Sequence, residues 1–138
     1  MILNPNSPTP LQPPPTQPTA QPSSRELALT IAHTADDRKG GNILVLQVGD
    51  ISYLTDFFIV VTGFSKTQVR AIAQAIVAAT TEQFNRPPLR TEGMEDSSWV
   101  LLDYGDAIVH VLLPREREFY NLEAFWGHAE IIDFQAET

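Results

Sequence analysis

Apolar residues recur every third or fourth position in two stretches of this chain and run uninterrupted in two others. That change of period predicts alternating helices and strands. Leu27, Ala28, Ile31, Ala32 and Ala35 share one helical face, and Ser23 with Glu26 has the spacing of a capping box, so a first helix should start at Ser23 and reach about Asp37. Gly40-Gly41 ends it. The β-branched run Ile43 to Val48 reads as a strand, and Phe57 to Thr62, which lacks alternation, reads as an interior strand covered on both faces. Ser65 and Gln68 repeat the capping-box spacing ahead of a continuous stripe of Val69, Ile72, Ala73, Ile76, Val77, Thr80 and Phe84, which predicts a long second helix. Arg86-Pro87-Pro88 stops that helix, and a short strand is expected at Leu89 to Glu92. Trp99 to Asp103 and Ala107 to Leu113 should pair as an antiparallel hairpin about Tyr104-Gly105. Pro114 suits the first turn of a short helix, followed by Phe119, Tyr120, Leu122, Phe125 and Trp126. The order predicts one α/β domain, a mixed sheet with helices packed against it.

The hairpin is the first place where pattern suggests chemistry. With Tyr104-Gly105 as a two-residue loop, Asp103 sits opposite Asp106, Leu101 opposite Ile108 and Trp99 opposite His110, all on one sheet face. Val100, Leu102, Ala107, Val109 and Val111 then form the other face, which looks like core. Two carboxylates facing each other are unfavourable unless something neutralises them. Turn capping and partner binding are comparable explanations for them, with metal binding behind both. The aromatic cluster from Phe119 to Trp126 either closes the core or supplies interface anchors.

Composition narrows the class. The chain has 138 residues, enough for one core, and no cysteine, so disulfides and thiolate metal sites are excluded and a reducing cytoplasm is expected. No apolar run approaches the roughly 18 residues of a membrane span. Eight of the eleven prolines lie between Pro5 and Pro22, and that uncharged stretch of Pro, Gln, Thr and Ser is expected to be a disordered tail over residues 1–22. From Glu92 onward eleven acids face only Arg115 and Arg117, a net of −9. Such a stretch repels phosphate backbones, which disfavours direct nucleic-acid recognition and favours a basic protein as partner; a role in solubility alone explains the acids equally well.

Catalytic motifs are wanting. Gly63-Phe64-Ser65 joins a strand to a helix, as phosphate-binding turns do, but no P-loop lysine and no three-glycine dinucleotide pattern accompany it. A nucleotidyltransferase would need paired carboxylates nearby, and the first acid after Ser65 is Glu82. Gly63 therefore reads as a turn and Ser65 as a cap. His33, His110 and His128 lack zinc-site spacing, and no Ser, His, Asp constellation emerges, so no cofactor or metal is expected and the domain reads as a binding module, not an enzyme.

Four blocks in order carry a resemblance: Ser52-Tyr53-Leu54-Thr55-Asp56-Phe57-Phe58, Gln68-Val69-Arg70-Ala71-Ile72, Trp99 through Val111, and Arg117-Glu118-Phe119-Tyr120-Asn121-Leu122-Glu123 before Trp126. Together they resemble the ribosomal silencing factors of the RsfS/Iojap family. The resemblance covers about Glu26 to Trp126, which divides the chain into a tail (1–22), an RsfS-like domain (23–126) and a C-terminal extension (127–138). It implies a mixed five-stranded sheet with flanking helices, similar to nucleotidyltransferases but without their catalytic carboxylates. It further implies a cytoplasmic factor that binds the large ribosomal subunit through ribosomal protein L-fourteen, blocks association with the small subunit and represses translation. The partner-binding residues expected from the hairpin face and its neighbouring aromatics are Trp99, Leu101, Asp103, Asp106 and His110 on the hairpin, with Tyr120, Leu122 and Trp126 beside them. The alternatives are a divergent metal-dependent nucleotidyltransferase and a homodimer whose exposed sheet face pairs with itself.

Overall fold

Ser23 opens the first helix, α1 (Ser24–Asp37), as its spacing predicts: its hydroxyl accepts from Glu26 N at 3.0 Å while Glu26 Oε1 accepts from Ser23 N at 2.9 Å. The computed structural model describes residues 21–136; the expected disordered tail falls almost entirely on residues outside that range. The buried stripe of α1 is Leu27, Ala28, Ile31, Ala32 and Ala35. Strands β1 (Gly41–Gln47) and β2 (Phe57–Thr62) follow and pair antiparallel, Val45 opposite Ile59.

The turn into α2 (Lys66–Phe84) is tight for a packing reason. A Cβ on Gly63 would lie 2.6 Å from Val69 Cγ2 and 3.0 Å from the Val69 backbone, so only glycine lets the strand end approach the helix this closely. Ser65 caps α2 through Gln68 N at 3.0 Å. The reciprocal half of the box does not form. Gln68 Oε1 instead accepts from Phe64 N at 2.7 Å, and its amide donates to the carbonyls of Arg38 and Lys39 at 3.3 and 3.0 Å. One side chain thus ties the end of α1 to the start of α2.

Beyond the helix come β3 (Arg90–Glu92), β4 (Trp99–Asp103), β5 (Ala107–Leu112), α3 (Pro114–Tyr120), a 3-10 segment (Leu122–Trp126) and β6 (Glu130–Ile132). The sheet order is β3-β4-β5-β2-β1-β6; β2 and β5 run parallel and every other neighbouring pair antiparallel. Among the described residues the sheet therefore has six strands, not the five the resemblance implied. The additional strand pairs Ile132 with Val45 and is only three residues long, too short to show a period in the sequence. Interior strand β2 is buried at all six positions.

Helices α1 and α2 cover one sheet face, closing a core that includes Ile31, Ile59, Val61, Ile72, Val100 and Leu102. Across the sheet lies a smaller cluster of Leu46, Val48, Phe58, Val60 and Leu112, over which Leu122, Trp126 and Trp99 pack. The second face is thus only partly roofed, and its uncovered part lies on β4 and β5.

Candidate partner-binding face

The hairpin that builds this face has a different register from the one expected. Trp99 lies opposite Leu112, Leu101 opposite His110 and Asp103 opposite Ile108, while Tyr104 N donates to Ala107 O at 2.9 Å. The loop is Gly105-Asp106, not Tyr104-Gly105. Tyr104 causes the shift: it is 1% exposed, and its hydroxyl shares a 2.9 Å hydrogen bond with Thr80 of α2, so its ring continues the strand into the helix-side core. Gly105 then takes the turn with φ +89°. A change of register by two residues preserves facing, so Trp99, Leu101, Asp103, Ile108 and His110 still share one face. Asp106 does not.

The two carboxylates part accordingly. Asp106 receives Arg86 Nη2 at 2.8 Å and Nη1 at 3.2 Å, and Arg86 Nη2 also donates to Tyr104 O at 2.9 Å. The hydrogen bond that Arg86 donates to Asp106 raises the guanidinium pKa further. Asp103 accepts from Gly105 N at 2.8 Å and stands 3.6 Å from Arg90 Nη2. Each acid thus has its own cation, and the expected like-charge pair does not exist. Nothing in the sequence marks Arg86 as the brace of this turn, because its local setting, Arg-Pro-Pro, signals only the end of a helix.

Trp99 and His110 are diagonal neighbours joined by a 2.8 Å hydrogen bond from Trp99 Nε1 to His110 Nδ1. Burial pushes the His110 pKa down to about 4, so the ring is neutral near pH 7 and Nδ1 is free to accept. Phe58 lies 4.9 Å from His110 between ring centroids, and Tyr120 lies 4.8 Å from Trp99. Leu122 and Trp126 sit at the covered end, Trp126 against Phe58 at 5.7 Å. Tyr120 is half exposed, while Phe119 and Phe125 present most of their rings to solvent.

Arg117 orients this aromatic edge. Its guanidinium donates to Thr62 Oγ1 at 2.9 Å, to Glu123 at 3.3 Å and to Asn42 O, pinning α3 to the ends of β1 and β2. Among the described residues no group of three or more His, Asp or Glu is placed to hold a metal ion. Chemically, the face offers aromatic rings held in fixed orientations next to a carboxylate. That arrangement suits a partner with apolar and cationic side chains.

Comparison with known proteins agrees over most of the chain. A family model described as "Ribosomal silencing factor during starvation" matches residues 21–138. The chain is 38% identical over 113 residues to the ribosomal silencing factor RsfS of Halalkalibacterium halodurans, a match covering 82% of this chain and 96% of that one. It is 39% identical over 111 residues to the chloroplastic protein Iojap of Zea mays, covering 80% of this chain but only 48% of the plant protein. A crystal structure of a Chromobacterium violaceum protein superposes with a TM-score of 0.73 at 35% identity, covering 76% of this chain and 87% of that one.

Proposed function

Because this chain belongs to the family of ribosomal silencing factors, we propose that it docks on the large ribosomal subunit through ribosomal protein L-fourteen and excludes the small subunit by occupying their shared interface. Steric exclusion needs no chemistry, only a rigid body bound in the right place. The observation that carries this reading is the uncovered face of β4 and β5, where the 2.8 Å bond to His110 holds Trp99 beside Leu101 and Asp103. A side chain already ordered in the free protein loses less entropy on binding, which is how a small face can reach useful affinity. Trp99, Tyr120 and Leu101 are the apolar anchors in this proposal. Asp103 supplies charge toward a basic surface, and Leu122 and Trp126 border the face at its covered end, while Asp106, paired with Arg86, supports the turn instead. No described helix is long and apolar enough to cross a membrane. Action on ribosomes would place the protein in the cytoplasm, although plant relatives are chloroplastic or mitochondrial.

Sedimentation of the protein with purified large subunits, followed by a subunit-joining assay, tests the proposal. Co-sedimentation and a dose-dependent loss of joined ribosomes are expected. Failure to bind large subunits at micromolar concentration would refute it, and magnesium-dependent nucleotide binding by calorimetry would favour a divergent nucleotidyltransferase instead.

A further inference from the structure

At the hairpin end of the sheet, the loop between β1 and β2 holds its large apolar side chains out of the fold. Ile51 is 52% exposed, Leu54 77% and Tyr53 fully exposed, and Leu89, across the hairpin turn, is 78% exposed. Leu89 is close to that turn: its Cδ1 lies 3.3 Å from where a Cβ on Gly105 would sit.

The loop is anchored by its backbone. Val48 N and Gly49 N both donate to Asp56 O, at 2.8 and 3.2 Å, which closes its base. Ile51 N bonds to Val48 O at 2.9 Å and Leu54 N to Ser52 Oγ at 3.0 Å, which shape its tip. Asp56 N and Phe57 N both reach Asp106 O at 3.1 Å, joining loop to hairpin turn, and Leu89 N reaches Asp103 O at 2.7 Å, joining the third segment. The Arg86–Asp106 ion pair braces the hairpin turn to which the loop is bonded. These bonds hold the loop in a conformation that directs its apolar side chains to solvent. Apolar surface displayed from a braced scaffold, with polar residues around it, commonly marks an interaction site.

We infer that Ile51, Tyr53, Leu54 and Leu89 form an apolar rim that extends the docking face and contacts the same basic ribosomal protein. This inference rests on the proposed function. Continuity identifies the occupant: Asp103 and Ile108 end the sheet face where the turn begins, and the Asp106 carbonyl of that turn holds the loop. Charge agrees, since Asp50 and Asp56, both exposed, flank the apolar side chains and give the rim the same apolar and acidic character as the face. A partner carrying Lys or Arg around an apolar patch would meet both surfaces at once.

Four full-length variants test this: Tyr53→Ser with Leu54→Ser together, Leu54→Lys, Leu54→Glu and Trp99→Ala. Affinity for purified large subunits and for the isolated ribosomal protein is measured alongside melting temperature. The double variant should keep its melting temperature, since the altered side chains lie in solvent, and lose at least about tenfold in affinity. Leu54→Lys should bind more weakly than Leu54→Glu, because a basic partner repels the lysine. If Trp99→Ala, assayed at a temperature where its melting curve shows it folded, weakens binding while the double variant binds as wild type, the rim is not part of the interface and the inference fails although the proposed function stands. Equal affinities for Leu54→Lys and Leu54→Glu would overturn the basic occupant. A double variant that loses only self-association in sedimentation equilibrium would assign the rim to a second copy, also against the inference. If the wild-type protein binds neither the subunit nor the isolated protein, the proposed function and the inference fall together.

Discussion

An indole N–H can only donate, so the Trp99–His110 bond exists only while His110 Nδ1 carries no proton. Burial lowers the folded-state pKa of His110 from 6.5 to about 4, so below pH 6.5 the unfolded chain takes up a proton that the folded chain refuses. This contribution is full above about pH 6.5 and is lost as pH falls toward 4; it amounts to on the order of 3 kcal/mol. Melting temperature should therefore drop between pH 6.5 and 4 by more in wild type than in His110→Phe, and parallel curves would show that His110 is not the group responsible. Trp99 has a double position, partly exposed on the face yet packed on the second core. Trp99→Ala should accordingly cost about 3 kcal/mol of stability in chemical denaturation, confusing lost binding with lost folding. Trp99→Phe keeps an aromatic ring beside Tyr120 and removes the hydrogen bond, so it should cost only about 1 kcal/mol of stability. If that well-folded variant blocks subunit joining at wild-type concentrations, the indole N–H has no part in docking.

Among the elements, the long helix and the central strand show how far local pattern reaches. Ser65, the apolar stripe of α2 and the unbroken run of β2 sit where their periods place them. The hairpin shows where pattern stops. Its two strands were legible, but its loop was not, because Tyr104-Gly105 and Gly105-Asp106 are both acceptable turns. The 2.9 Å contact of Tyr104 with Thr80, a residue of another element, decides between them. Strand β6 was invisible for a similar reason: three residues carry no period, and the strand forms because the edge of β1 is available and Ile132 and Phe134 reach the main core. Ending the chain at His128 should therefore cost at least about 3 kcal/mol and expose the edge of β1, measured as a lower melting temperature and increased aggregation. Ile131→Ser, on the exposed side of the same strand, should change the melting temperature by no more than a degree or two. If removing β6 were as mild, the strand would contribute nothing to the fold.

For the whole molecule, the formal net charge of −8 comes from the last third of the chain, which begins at Glu92 and also contributes β4 and β5 to the open face. Exposed ion pairs across an interface are screened at distances beyond about 10 Å in 0.1 M salt and weaken further as salt rises. Affinity for the isolated ribosomal protein should thus fall severalfold between 50 mM and 500 mM salt, mainly through a slower association rate. A flat salt response would mean that the acids keep the protein soluble and contribute nothing to docking.

The sequence alone determined the two long helices and the strands β1 to β5, the capped starts of both long helices and the sharing of one face by Trp99, Leu101, Asp103 and His110. These follow from periods of 3.6 and 2, which act over neighbouring residues. It also carried the family resemblance, because four ordered blocks survive without reference to contacts. Tertiary structure decided the sixth strand, the separation of Asp103 from Asp106 by their partners Arg90 and Arg86, and the bond that fixes Trp99. Each of those depends on atoms many positions apart meeting at hydrogen-bond or ion-pair distance. Periodicity says which way a side chain faces, but only packing says which group it meets there.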